Sequence, residues 1–146
     1  MKQIAELIEG QTLTVLDPNQ SVRAAVQRMT EVNIGAAAVV EAGKLAGIFS
    51  ERDLMARVVA KGLNPDDTEV RTVMTSELVV AGPHDRIDAA LAKMHAINSR
   101  HLPVVEDGKL IGMISIRDLR EVADQQNRAK ATFLNELVTY SPDYES

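Results

Sequence analysis

The 146-residue chain contains no cysteine and no tryptophan, and only two phenylalanines and two tyrosines. Without cysteine there is no disulfide framework, no thiolate metal site and no thiol nucleophile. Uninterrupted apolar runs last a handful of residues, far short of the roughly 20 that cross a bilayer, so no membrane association is expected. Glu6 and Glu9 follow closely behind Ile4, which leaves no signal-peptide core, and a cytoplasmic location is expected. An excess of basic residues is missing too. Lysine and arginine total 16 against 21 acidic residues, a net charge of −5. That balance argues against a sequence-independent nucleic-acid binder, which needs a broad basic face. It leaves room for a small anionic ligand held by a few local cations. The three histidines, His84, His95 and His101, do not make a metal site by spacing. No Ser-His-Asp or paired-carboxylate arrangement emerges, so catalysis is not expected.

What the chain does contain is one stretch written twice. Gly47-Ile48-Phe49-Ser50-Glu51-Arg52-Asp53-Leu54 returns 65 residues later as Gly112-Met113-Ile114-Ser115-Ile116-Arg117-Asp118-Leu119. Extending that offset back without a gap, 11 of the 16 positions from Val39 to Leu54 are identical in Val104 to Leu119. Unrelated segments of ordinary composition share about one. An internal duplication therefore precedes any reading of secondary structure.

Each copy reads as an apolar strand entering a helix, with Ser50 and Ser115 at the N-cap. Upstream, Ile4, Leu7 and Ile8 predict a short helix ended by Gly10, and Leu13 to Leu16 a short strand. Ser21 caps a helix with Val22, Ala25, Val26 and Met29 on its inner face. A strand from Ala36 to Glu41 turns through Ala42-Gly43 into Lys44 to Phe49. The next helix is expected to face inward with Leu54, Met55, Val58 and Val59. The second half repeats this order after a lead-in from Val70 to Thr75. It has a short strand at Leu78 to Val80, a helix capped by Asp85, a hairpin through Asp107-Gly108, and a last helix from about 117 to 139. The fold class is α/β (α+β): two β-α-β-β-α repeats packed through their sheets about a pseudo-twofold axis, with an extended C-terminal helix. The boundaries are 7–65 for the first repeat, 70–124 for the second and 125–146 for the extension and tail. One repeat of this size buries too little apolar surface to be comfortable alone. Pairing leaves two related clefts between the halves.

These residues resemble a tandem pair of CBS (cystathionine β-synthase) domains. The resemblance rests on the duplicated Gly-hydrophobic-hydrophobic-Ser-x-x-Asp motif, on His101-Leu102-Pro103-Val104-Val105 ahead of the second hairpin, and on Val73-Met74-Thr75. It implies a non-catalytic regulatory module that binds an adenosine-containing ligand, with AMP, ADP or ATP first in line and no cofactor required. Adenosylmethionine and dinucleotides are alternatives. It also implies a homodimer, a flat disc of four repeats, and an effector protein that receives the signal. A rival reading is a dimeric scaffold with vestigial pockets.

The candidate ligand-binding residues follow. Asp53 and Asp118 are cap partners of Ser50 and Ser115, and each carboxylate is also suited to accept from both ribose hydroxyls. Ser50, Ser115 and Arg117 lie where a phosphate would approach. Arg100 offers a fork to a phosphate and His101 a proton-dependent contact, beside Pro103. Thr14 and Val80 lie on the short strands that would flank the base. The first half departs at this point: Ile34-Gly35-Ala36-Ala37-Ala38 supplies neither cation nor proline. One good site and one weak one are expected. The sequence leaves open which aspartate shares a pocket with Arg100. The extension, with Phe133, Leu134, Leu137, Tyr140 and Tyr144, is a candidate docking or dimer-locking element.

Overall fold

A computed structural model describes residues 3–122 and Asp124; the expected extension from 125 to 146 lies outside the described residues. The elements are α1 (Ile4–Ile8), β1 (Val15–Leu16), α2 (Val22–Glu31), β2 (Ala36–Glu41), β3 (Lys44–Ser50), α3 (Glu51–Asp53, continued as a π-helical turn over Leu54–Val59), α4 (Val70–Val73), α5 (Ile87–Ile97), β4 (His101–Glu106), β5 (Lys109–Ser115) and α6 (116–122). None of the described helices is long and apolar enough to cross a membrane.

The two hairpins form where the sequence places them. Ala42-Gly43 and Asp107-Gly108 all take positive φ, between 51° and 79°, the geometry that matches the twist of a two-residue hairpin. Both hairpins slip register at the same point, between Val39 and Val40 and between Val104 and Val105. β1 adds to β2 in parallel, with Val15 opposite Ala38 and Leu16 opposite Val39. Its expected counterpart at Leu78 to Val80 does not form a strand. Only Ala81 bridges, to Val104, donating its N–H to the Pro103 carbonyl at 2.9 Å. The preceding rung would need an N–H from Pro103, which has none.

The lead-in segments change places. Val70 and Val73 of α4, from the threshold of the second repeat, belong to the first repeat's core with Leu16, Val22, Met29 and Phe49. Ile4 of α1 is fully buried in the second repeat's core with Met94, Leu102, Ile114 and Leu119. The motif glycines permit this. A Cβ on Gly47 would stand 2.8 Å from the Thr75 carbonyl, and one on Gly112 would stand 2.7 Å from Ile8 Cγ2. Thr75 then pairs with Ile48 through two backbone bonds of 2.8 and 2.9 Å. At the equivalent Met113 the Gln11 carboxamide takes the place of a peptide, donating to the carbonyl at 2.8 Å and accepting from the N–H at 2.9 Å. Each repeat is thus stapled by the other's lead-in. β3 and β5 make the direct contact between halves.

Two expected details are corrected. Met55 and Val59 are not on an inner face: they are 65% and 68% exposed, while Val58 is buried. The π winding, seen in the bonds from Ala60 to Met55 and from Leu63 to Val58, rotates them out of the 3.6-residue stripe. Asp85 does not cap α5. Arg86 holds the N-cap position without a side-chain cap, and Asp85 instead accepts from Gly82 N–H at 2.9 Å and from Lys93 Nζ at 3.3 Å. That backbone bond, helped by Lys93, holds its carboxyl below the usual carboxylate range.

Candidate functional site

Two clefts lie between the repeats, related by the 65-residue offset. The Asp53 cleft, of about 470 Å³, joins the β3–α3 junction with residues 77–79 and 97–101 of the second half. The Asp118 cleft, of about 700 Å³, joins the β5–α6 junction with residues 11–14 and 33–38 of the first half. Gly35, Glu51, Arg100 and His101 belong to both. Arg100 therefore shares a pocket with each aspartate.

The aspartates themselves differ. Asp53 is 6% exposed, and both of its oxygens are committed. Oδ2 accepts from Ser50 N–H at 3.0 Å and from Ser50 Oγ at 3.1 Å; Oδ1 accepts from Thr75 Oγ1 at 3.0 Å and lies 3.6 Å from Arg57 Nε. Arg57 in turn donates to the Val73 and Met74 carbonyls at 3.4 and 2.9 Å. Asp118 is exposed and keeps only the cap. Its Oδ2 accepts from Ser115 N–H at 3.1 Å, and its own N–H donates to Ser115 Oγ at 3.1 Å. Oδ1 has no partner among the described residues. The position equivalent to Thr75 is Gly10, which has no hydroxyl to offer.

The family model for the CBS domain matches residues 10–60 and again 70–124. The chain belongs to the CBS-domain family. It is 34% identical over 119 residues to the CBS domain-containing protein YhcV of Bacillus subtilis, covering 82% of this chain and 84% of that one. It is also 34% identical to the mitochondrial CBS domain-containing protein CBSX3 of Arabidopsis thaliana, covering 78% of this chain but spanning only 58% of that protein's length. A CBS-domain protein of Agrobacterium tumefaciens shares the fold with a TM-score of 0.77 and 30% identity, over 84% of this chain and 99% of that one. The CBS domain pair of MJ0100, solved with 5′-methylthioadenosine and S-adenosyl-L-methionine, has a TM-score of 0.77 at 21% identity, over 86% of this chain and 98% of that one. CBS-domain pairs are as a class regulatory ligand-binding modules.

Within this CBS pair the candidate residues divide. Ser50, Asp53, Arg100 and His101 line one cleft; Thr14, Ser115, Arg117, Asp118, Arg100 and His101 line the other. Val80 and Pro103 line neither. Val80 is displaced because its strand does not form, and its carbonyl accepts from Lys93 Nζ at 3.0 Å; Val79 takes its place in the Asp53 cleft. Pro103 is buried in β4 opposite Met113. Arg117 is 87% exposed at the rim, with Glu121 Oε1 at 3.9 Å. Among the described residues no group of His and carboxylates is placed to hold a metal ion.

Sequence reasoning missed Glu51, Arg57 and Thr75. The signal for Glu51 was its mismatch with Ile116 inside the repeated motif. Its N–H bonds the Gly35 carbonyl at 2.9 Å, and a Cβ on Gly35 would stand 2.8 Å from its Oε1. Its carboxylate therefore lies over Gly35, on the wall common to both clefts.

His101 is half-buried on that wall. Burial lowers its pKa below the ordinary 6.5, and Arg100 pushes the same way, against Glu51 and Asp118. The ring is neutral at pH 7. As pH falls, the unfolded chain takes up this proton first, so stability falls from about 6.5 down to the lowered folded value and levels below it. His101→Gln is expected to remove that part of the slope. Urea midpoints at about pH 7.5 and about pH 5.5 measure it; an unchanged difference between them contradicts this account.

Proposed function

We propose that this CBS pair is a regulatory sensor that binds an adenosine-containing ligand in the Asp118 cleft and passes the binding event to an effector protein. The observation that carries the reading is the uncommitted Oδ1 of Asp118, in a cleft whose facing wall is Thr14 and the small residues Ala36, Ala37 and Ala38. A ribose offers two hydroxyl donors to such a carboxylate. The alanine segment leaves space for a flat base beside backbone polar groups. Arg100 stands in the same cleft for an anionic group on the ligand, AMP being the simplest nucleotide that supplies one.

The Asp118 cleft draws its walls from both repeats, so a ligand in it bridges them. Binding then favours one relative arrangement of the halves, and whatever reads that arrangement is regulated by linkage. The assembly we propose is a homodimer with four repeats in a disc, to which the exposed Met55 and Val59 contribute apolar surface. No catalytic step is assigned to the module.

The engaged oxygens of Asp53 favour a second reading for the other cleft, a structural joint with no nucleoside in it. Calorimetric titration with adenosine and AMP tests both statements. One site per chain is expected. Two equal sites overturn the assignment of the Asp53 cleft, and no heat with any adenosine compound on a folded chain returns the scaffold reading.

A further inference from the structure

The 65-residue offset carries the α3 segment onto α6, and the outward faces of the two differ in kind. Met55 and Val59 are largely exposed, and Ala60 beside them is exposed too. Leu63 is 43% exposed and extends this apolar stripe, because its N–H bonds back to the Val58 carbonyl at 3.0 Å. The positions that match Met55, Val59 and Leu63 in the second repeat are Arg120, Asp124 and Arg128, the last outside the described residues. Arg120 and Asp124 are exposed, and neither has an ion pair among the described residues. The buried sides stay apolar in both repeats, with Val58 in one core and Leu119 and Val122 in the other. The stripe is therefore not needed to fold a repeat, since the second repeat folds with charges in its place.

The two faces share one property: each is complementary to itself. In a twofold contact residue i meets residue j of the other copy, and j meets i. Two antiparallel copies of the first face set Met55 against the partner subunit's Val59. Two antiparallel copies of the second set Arg120 against the partner subunit's Asp124. Laid across each other the faces do not match: Arg120 and Asp124 would lose water against Met55 and Val59 with no opposite charge in reach. We infer that the chain pairs with a second copy of itself, first repeat on first repeat and second on second. The apolar stripe lies at the centre of one contact and the Arg120–Asp124 pairs lie in the other, with one twofold axis through both. The stripe supplies the burial. Exposed ion pairs are individually weak, so the charged contact serves mainly to fix the orientation. This inference rests on the homodimer proposed above and gives it a direction.

The test is crosslinking of the full chain, which has no cysteine of its own. Val59→Cys and Asp124→Cys are made separately and treated with a bismaleimide that reaches across about one helix diameter, ~10–12 Å. Each variant alone is expected to give a crosslinked dimer, and a mixture of the two to give like-with-like products only, told apart by mass. Sedimentation equilibrium supplies the second readout. The native chain is expected to be a dimer, and Val59→Glu to raise its dissociation constant at least about 100-fold, because two carboxylates then meet in an apolar contact. Val59 is exposed, so the variant should keep the native circular dichroism. A product that forms only in the mixture, absence of a product from Val59→Cys alone, or a dimer untouched by Val59→Glu overturns the orientation and leaves the homodimer standing. A monomeric native chain overturns both. That last result gives the stripe to another occupant, such as residues 125–146 of the same chain.

Discussion

Asp53→Ala is expected to destabilise the chain by about 2–4 kcal/mol, with or without ligand, and to lower Tm by roughly 10 °C. The carboxylate is the junction of three segments. It closes the cap with Ser50, holds the Thr75 hydroxyl of the exchanged lead-in, and lies beside Arg57, which reaches the Val73 and Met74 carbonyls. Loss of the cap costs about 1 kcal/mol. Loss of a hydrogen bond to a buried charge costs about 1.5–3 kcal/mol more, since Thr75 Oγ1 is left without its acceptor. The ion pair adds little, because Arg57 is half exposed and its partner lies at 3.6 Å. Chemical denaturation monitored by circular dichroism gives the number. A loss below about 1 kcal/mol would show that the site is only a helix cap.

Much of this fold could be read from the chain because the information is local and appears twice. Hairpin turns at Ala42-Gly43 and Asp107-Gly108, the Ser21 cap and the apolar stripe of α2 each depend on neighbours within a turn or two. The features that were not legible depend on distant partners. No periodicity in residues 4–8 says that α1 completes the second core, and nothing near Gly47 announces that Thr75 will lie against it. The π turn after Asp53 changes which apolar residues face inward without changing their spacing, so Met55 and Val59 read as buried and are exposed. Pro103 was read for the family motif it belongs to, while its physical effect is to remove a rung and with it the strand at Val80. The two aspartates looked alike for the same reason. Their local sequences are Ser-Glu-Arg-Asp and Ser-Ile-Arg-Asp, and what separates them is a threonine 22 residues beyond the first, with no hydroxyl at the matching position for the second.

That separation carries the other large expected effect. Asp118→Ala should weaken adenosine-ligand binding by about 100-fold or more, the loss of two charge-assisted hydrogen bonds to ribose, while costing stability no more than about 1 kcal/mol for the cap. The opposite ratio of effects is expected from Asp53→Ala, so the pair of variants makes an internal control: one carboxylate for binding, one for holding. Asp118→Asn sharpens the distinction. The amide still presents one oxygen to Ser115 N–H, so the cap is largely kept, yet it no longer accepts from two hydroxyls at once. A deoxyribose analogue of the ligand should then lose affinity on the native chain and little further on Asp118→Asn. If Asp118→Asn binds as the native chain does, Oδ1 does not hold the ribose. The cleft must then grip its ligand through Thr14, Arg100 and the alanine wall.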